Sequence, residues 1–581
     1  MKSFFKIVFA TILGMFLTFF LMLIILGIAI SASGGKKEVI VKENSILHIT
    51  LNEALQDRPS EKVFENFSIG NLNKPLSLRE VIENIEKASA DDDVSGIFLD
   101  LSTVKAGMAA IEEVRNALLD FKKSGKFIIA YGEVLSQSEY YLATVADKIY
   151  VHPTGLAELK GLRSEILFFK GTLDKLGLEP QVFRHGKFKS AVEPFIQDKL
   201  SDANREQVRT FLNSFWNHIL EGIAKERKMQ MSELQQIASN LQVTNAADAK
   251  QMKLVDELKY RDEVLEELKT KTEAEAIDKI HFVSMERYRD VKSKKERGTD
   301  KIAVVYAEGD IVDGNGDEDE VGSVEFSKAI RKARLDERVK AVVLRVNSPG
   351  GSALASETIW REVALTKKAK PVIVSMGNLA ASGGYYISCD ADTIVAQPNT
   401  ITGSIGVFGL FFNYRNLMNK IGVSVDTVKT AKYADVMSPT RVVTAPESLV
   451  IQREIERIYD TFITRVANGR KLSKAQVDSI GQGRVWSGED AKRIGLVDVL
   501  GGLDTAIAIA ARKAKLDKYR ITELPFQEGT LEKMIKKLSG ETEDEVTERV
   551  LGDSYYYYQQ FEKLKKMQSY QARLPYNIRL N

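Results

Sequence analysis

The chain begins with an uninterrupted apolar run. From Ile7 to Ile30 no residue is charged, and Phe, Leu and Ile dominate. At 1.5 Å rise per residue these 24 residues exceed the ~30 Å hydrocarbon core of a bilayer, so the pattern predicts a membrane-spanning helix. A cleavable signal peptide carries an apolar core of only about 7–15 residues, so the run reads as an uncleaved signal anchor. Ser31-Ala32-Ser33 leaves a small-residue cleavage site as the alternative. Further on, the pattern changes period. Lys301–Tyr306, Ala341–Val346 and Pro371–Met376 are short apolar runs suited to buried strands. Phe326–Leu335 and Ala355–Thr366 are amphipathic at helical spacing and fall between them. Such alternation predicts βαβ units and a mostly parallel sheet.

The same pattern occurs twice. Residues 94–194 align without a gap on residues 339–439, at a constant offset of 245. Val94–Leu99 lies over Val339–Leu344, Tyr140-Tyr141 over Tyr385-Tyr386, Pro153 over Pro398, and Pro194 over Pro439. A match this long means duplicated domains rather than a short-period solenoid. The expected organisation is a short tail and anchor (1–38), a first domain (45–288), a linker (289–300), a second domain (301–516) and a helical tail of unknown role (517–581). The two copies differ where chemistry could reside. Ser382, in Ala380-Ala381-Ser382-Gly383-Gly384, faces Gln137, and Lys189, in Lys187-Phe188-Lys189-Ser190-Ala191, faces Ala434. One copy holds a serine and the other a lysine.

Composition narrows the function. The 581 residues suffice for two or three domains with their own cores. Lys and Arg number 82 against 80 Asp and Glu, so no nucleic-acid-binding surface is expected. The one dense basic run, Lys292–Arg297, reads as a solvated linker. A single cysteine, Cys389, excludes an internal disulfide framework. Lysines flank the apolar run on both sides (Lys2 and Lys6, Lys36 and Lys37), so charge leaves its orientation nearly tied. A very short tail before a large folded region favours tail inside and domains outside.

Ser382 follows an apolar strand in a tight small-residue turn and precedes a helix, whose N-terminal N–H groups favour negative charge. It could equally be a helix N-cap. In Asn347-Ser348-Pro349-Gly350-Gly351-Ser352 paired glycines let backbone approach a ligand closely, or simply make a turn. The first copy has Ser102-Thr103-Val104-Lys105-Ala106 in this register, so the fold does not need the glycines. They accompany the serine. A serine nucleophile needs a base. The five histidines, His48, His152, His185, His218 and His281, all precede the second copy, which excludes a Ser-His-Asp triad within it. His185 could approach from the first copy. Lys189 can serve if burial strips its proton near neutral pH.

Pro349-Gly350-Gly351, Met376–Ser388 and Thr402–Val407 resemble the signal peptide peptidase A (protease IV) family, and Lys187–Phe195 resembles its long, duplicated form. The resemblance covers residues 45–515. It implies two tandem crotonase/Clp-protease-like α/β domains behind a single N-terminal transmembrane helix, with no cofactor and no metal. It implies that Ser382 is the nucleophile, Lys189 the general base, Gly351 and Gly383 the oxyanion hole, and Ser404 the residue that orients the lysine. It further implies a membrane-bound homotetramer that degrades cleaved signal peptides and other hydrophobic peptides. The place implied is the bacterial inner membrane, with the catalytic domains on its outer, periplasmic face. Two alternatives use the same fold: a catalytically inactive membrane scaffold, and a crotonase-type acyl-CoA enzyme, which would need acidic residues on the turns.

Overall fold

The apolar runs become the central strands of two sheets in a computed structural model that describes residues 2–33, 39–59, 75–292, 298–317, 319–526 and 570–573. The first copy supplies β1 (Ser45–Ile49), β2 (Val94–Leu101), β3 (Phe127–Leu135), β4 (Lys148–Ala157), β5 (Glu179–Arg184), β6 (Glu257–Leu258) and β7 (Phe282–Ser284). The second begins with β8 (Lys301–Glu308), β9 (Asp310–Val312), β10 (Glu320–Gly322), β11 (Val339–Ser348), β12 (Gly350–Ser352) and β13 (Val372–Ala381). It continues with β14 (Thr393–Ala396), β15 (Ile401–Gly403), β16 (Phe408–Asn413), β17 (Val485–Ser487), β18 (Val499–Leu500) and β19 (Arg520–Leu524). A last strand, β20, is Tyr570–Arg573.

The first sheet is ordered β6-β4-β3-β2-β1-β7 and is parallel throughout. The second is ordered β17-β15-β13-β11-β8-β19, with β14 and β18 branching from β13. Both faces of this sheet are covered, which is why its strands read as continuous apolar runs. Val342, Leu344 and Val346 of β11 pack with Ile359 and Val363 of the helix Ala353–Lys367. Ala341 and Val343, on the other face, pack with Ala506 and Ile507 of the helix Leu503–Lys513. Each fully buried Val, Ile or Leu contributes about 1.5–3 kcal/mol.

The duplication persists in detail. The helices Met108–Lys122 and Ala353–Lys367 both have 15 residues. The Tyr140 hydroxyl donates to the Leu254 carbonyl at 2.9 Å, and that of Tyr385 to the Leu496 carbonyl at 2.9 Å. The copies part at β5. This strand leaves its own half and pairs antiparallel with β16 over six residue pairs, from Phe408–Arg184 to Asn413–Glu179. Leu173, Leu178, Val192 and Phe195 of the first half bury Phe408, Leu410 and Phe412 of the second on this joint. On its other side Val208, Phe211 and Phe215 pack with Ala381, Ile401 and Val485. Arg345, in the middle of apolar β11, is buried and reaches across to Asp57 at 2.9 Å and Glu113 at 2.7 Å.

One expectation meets a different outcome. The second sheet runs past residue 516, because Arg520–Leu524, expected within a helical tail, is a strand parallel to β8. Residues 527–569 and 574–581 lie outside the described residues. The expected span Ile7–Ile30 falls within a helix, Lys2–Ser33. Side chains at position 8 and from 23 to 30 lie outside the described residues, and among those described no helix is long and apolar enough to cross a membrane.

Candidate active site

Strand β13 ends at Ala381, and the chain turns sharply at Ser382 into the helix Gly383–Ser388. Ser382 sits at φ 56° and ψ −112°, a conformation non-glycine residues seldom adopt. Such strain costs on the order of 1–3 kcal/mol and persists only where the surroundings enforce it. Here the Ser382 N–H donates to the Gly403 carbonyl at 2.8 Å, and its carbonyl accepts from the Tyr386 N–H at 2.8 Å. The hydroxyl makes no capping hydrogen bond, so the N-cap alternative does not apply. It is turned instead toward Lys189.

Lys189 Nζ lies 2.8 Å from Ser382 Oγ, 3.1 Å from Ser404 Oγ and 3.2 Å from the Ser404 carbonyl oxygen. All three residues are fully buried. Burial holds the lysine well below its usual pKa range, because desolvation penalises the ammonium. A neutral amine has two N–H bonds and one lone pair. Three oxygen atoms of two residues lie in reach of Nζ; in the neutral form the two N–H groups would donate to Ser404 and the lone pair would face the Ser382 hydroxyl.

The lysine arrives on the segment between β5 and the short 3-10 turn Ser190–Val192. Its backbone is clasped from both halves. The Phe188 N–H donates to the Gln482 carbonyl at 3.1 Å. Gln207, on the helix Asp202–Arg227, donates to the Phe188 carbonyl at 3.1 Å and to Ser190 Oγ at 2.8 Å, and accepts from the Val485 N–H at 3.2 Å. Gly483 has φ +82°, and a Cβ there would stand 2.6 Å from the Lys189 Cα. Only glycine permits that approach. Sequence reasoning missed Gln207 and Gly483; neither belongs to a motif, and Gly483 lies in an unremarkable Gly481-Gln482-Gly483 turn.

Gly351 lies on β12, opposite Ile311 of β9 and Ala572 of β20. Gly350 is constrained as well. Its φ is +97°, and a Cβ there would lie 2.1 Å from the Ala572 carbonyl oxygen and 2.5 Å from the Gly383 nitrogen. Gly383, the residue after Ser382, thus packs against Gly350, the chain neighbour of Gly351. His185 is engaged elsewhere, 2.5 Å from Glu456 and stacked on Tyr459 at 3.8 Å. Of the five residues expected from sequence, Ser382, Lys189 and Ser404 are in direct contact, Gly383 follows Ser382 in the chain, and Gly351 adjoins the Gly350 that packs on Gly383. The arrangement is suited to acyl transfer, with a nucleophile, a proton acceptor and backbone donors around one point.

The model of peptidase family S49 matches this chain twice, at residues 120–275 and 364–517. Protease 4 of Haemophilus influenzae is 38% identical over 513 residues, which is 85% of this chain and 82% of that protein. Protease 4 of Salmonella typhi is 38% identical over 90% of this chain and 87% of its own length. The chloroplastic serine protease SPPA of Arabidopsis thaliana is 34% identical over 82% of this chain and 70% of its own length. Among solved structures, a serine-to-alanine mutant of the 1510-N membrane-bound stomatin-specific protease is 14% identical and covers 40% of this chain and 100% of that one, at a TM-score of 0.26.

Proposed function

The chain belongs to peptidase family S49, and from that premise we propose that it is a membrane-anchored serine endopeptidase working through a Ser382–Lys189 dyad on hydrophobic peptides, cleaved signal peptides among them. One observation carries the dyad: a buried lysine amine 2.8 Å from a buried serine hydroxyl in a strained turn. Neutral Lys189 takes the hydroxyl proton as Ser382 Oγ attacks the substrate carbonyl. The N–H groups of Gly351 and Gly383 receive the oxyanion, each worth roughly 3–4 kcal/mol of transition-state stabilisation. Lys189 then protonates the leaving amine. Water, deprotonated by the same amine, hydrolyses the acyl-enzyme. Ser404 fixes the amine's two N–H bonds so that its lone pair faces the serine. Family S49 is a peptidase family, which leaves the acyl-CoA and inactive-scaffold alternatives without support.

The membrane anchor rests on the uncharged run Ile7–Ile30, which would hold the site near apolar substrates at the periplasmic face of the bacterial inner membrane. A homotetramer is supported by an asymmetry between the copies. Leu178, Phe188 and Ala191 of the first half are buried, whereas their counterparts at the 245-residue offset, Val423, Tyr433 and Val436, are exposed. The first arm docks on its own second half; the second arm is free to dock on the first half of a neighbouring chain. Repeated head to tail, such a contact closes a ring.

The test is a pair of variants, Ser382→Ala and Lys189→Ala, assayed on a fluorogenic hydrophobic peptide. Each is expected to lose cleavage by a factor on the order of 10⁴ or more. Near-wild-type cleavage by either folded variant would rule out the dyad.

A further inference from the structure

The two halves enclose a cavity of about 340 Å³ that neither Ser382 nor Lys189 lines. We propose that it binds an α-ammonium group with a carbonyl or carboxylate oxygen beside it, as carried by a free amino acid or the N-terminus of a short peptide. Such molecules are what a peptidase releases, so the choice of ligand rests on the peptidase reading above. The volume is that of a small-ligand site, and the carboxyl ends of parallel strands are where such sites form. Glu308 ends β8, Asn347 lies next to the end of β11, and all border this cavity together with Lys105, which follows β2.

The wall offers unmet acceptors. Asp57 is 6% exposed, and its Oδ1 has no hydrogen-bond partner among the described residues. Its Oδ2 accepts from Arg345 Nε at 2.9 Å. Arg345 has nothing left for Oδ1, since its other nitrogens donate to Ser375 Oγ at 2.9 Å and Glu113 at 2.7 Å. A buried acceptor left unmet is costly, and more so when it is charged. Glu308 adds a second carboxyl. Burial first and the Asp57 charge second push it up to about 7, so a cation beside it would favour its ionised form. Among the described residues no three His, Cys, Asp or Glu side chains are placed to hold a metal ion. An ammonium needs only acceptors and has three N–H bonds to give.

The same wall offers donors. Asn347 Oδ1 accepts from the Leu379 N–H at 3.2 Å, and Asn378 Oδ1 from the Ala109 and Ala110 N–H groups at 3.1 and 3.2 Å. Each amide is thereby fixed in one orientation, and Nδ2 is the group left to donate to a carbonyl oxygen. Lys105, exposed at the rim, adds a positive charge for a carboxylate.

The fold does not demand these amides. At the 245-residue offset their counterparts are Ser102 and Glu133, and the same comparison singles out Ser382 and Lys189. Asp57 and Lys105 come from the first half, and Glu308, Asn347 and Asn378 from the second. A ligand held between them favours the docked form of the two halves.

The experiment is isothermal titration calorimetry of the full Ser382→Ala chain in detergent with alanine, dialanine and N-acetyl-dialanine. The substitution removes the nucleophile, so binding is read independently of the dyad, and wild-type peptide cleavage tests the peptidase reading separately. Saturable binding is expected for alanine or dialanine and at least tenfold weaker binding for the acetylated peptide, which lacks the ammonium. Tighter binding of alanine assigns the site to free amino acids, and tighter binding of dialanine assigns it to peptide ends. Asp57→Asn and Glu308→Gln should each weaken binding roughly tenfold by replacing a charged acceptor with a neutral one. Asp57→Asn also loosens Arg345, so Glu308→Gln, with its fold checked by thermal unfolding, is the deciding variant. No saturable binding of either free-amine ligand, equal binding of the acetylated peptide, or unchanged binding by folded Glu308→Gln would overturn the proposal.

Discussion

Lys189 Nζ and Ser382 Oγ are 2.8 Å apart although the residues are separated by 193 positions in the chain. The contact is made across the joint between the two copies, so its chemistry reports on how those copies dock.

Activity should rise with pH. Burial holds the Lys189 amine well below the usual lysine range, and only its neutral form can accept the serine proton. Below the depressed pKa the base is protonated and idle, so kcat/KM is expected to climb through that pKa and level off before the ordinary lysine value of ~10.4. A chemical step flat from pH 6 to 10 would count against a lysine base.

The same burial makes Lys189 a stability liability. Its folded pKa lies below its unfolded one, so between the two values the unfolded chain binds more protons, and stability falls as pH falls. Lys189→Met removes that cost along with the activity. Its gain in Tm over wild type should be absent near pH 10.5 and grow as pH is lowered toward the folded pKa. Equal Tm differences across that range in thermal unfolding would contradict the assignment.

Ser404→Ala removes one of the two acceptors that orient the amine, while the Ser404 carbonyl, 3.2 Å away, still holds the other N–H. The expected result is a fall in kcat of about 10- to 100-fold with KM little changed, the scale of a misplaced but present catalytic group. Steady-state kinetics that match wild type would remove the orienting role.

Gly350→Ala should damage both activity and stability. The φ of +97° adds about 1–2 kcal/mol of backbone strain to any other residue. The new Cβ would fall within 2.5 Å of the Gly383 nitrogen, so kcat/KM should drop by about 10²–10³-fold, as when an oxyanion donor is lost. Peptide cleavage within tenfold of wild type would show that this space is not where the carbonyl reacts.

Arg345→Met leaves Asp57 and Glu113 buried with no cation between them. Removing one partner of a buried ion pair costs about 3–5 kcal/mol. Burial already raises the Glu113 carboxyl, and without the cation it would be protonated more readily folded than unfolded, so the deficit should widen as pH rises. Because the triad spans the joint, peptide cleavage should fall in parallel. Urea unfolding at pH 5 and pH 8 that shows no difference from wild type would refute this account.

Much of the site was legible because the duplication supplied its own control. Gln137 against Ser382, Ala434 against Lys189 and Leu159 against Ser404 separate what the fold needs from what only one copy carries. The strand positions followed from their apolar runs, although β13 runs five residues beyond the expected Met376 because its end is held by β15. Other parts were hidden for physical reasons. The β5–β16 pairing depends on backbone hydrogen bonds between strands 229 residues apart at Glu179 and Phe408, and such bonds leave no composition signal. The fit of Gly483 against Lys189 is visible only once both halves are packed. Arg345 did leave a trace, a lone charge inside an apolar strand, since charged residues are almost never fully buried unless paired. Its partners 57 and 113 lie in the other copy, where no spacing rule connects them.

Dividing the dyad between the copies also sets a schedule for synthesis. Translation delivers residue 189 first, residue 382 next, the sheet-completing strand Arg520–Leu524 later, and Tyr570–Arg573 last. On the reading proposed above, a nascent chain that has exposed Ser382 still lacks the docked surface that strips the proton from Lys189. Hydrolysis would therefore wait for docking. On that same reading, an enzyme for apolar peptides made beside other apolar chains entering a bilayer would be silent toward them while it is being built.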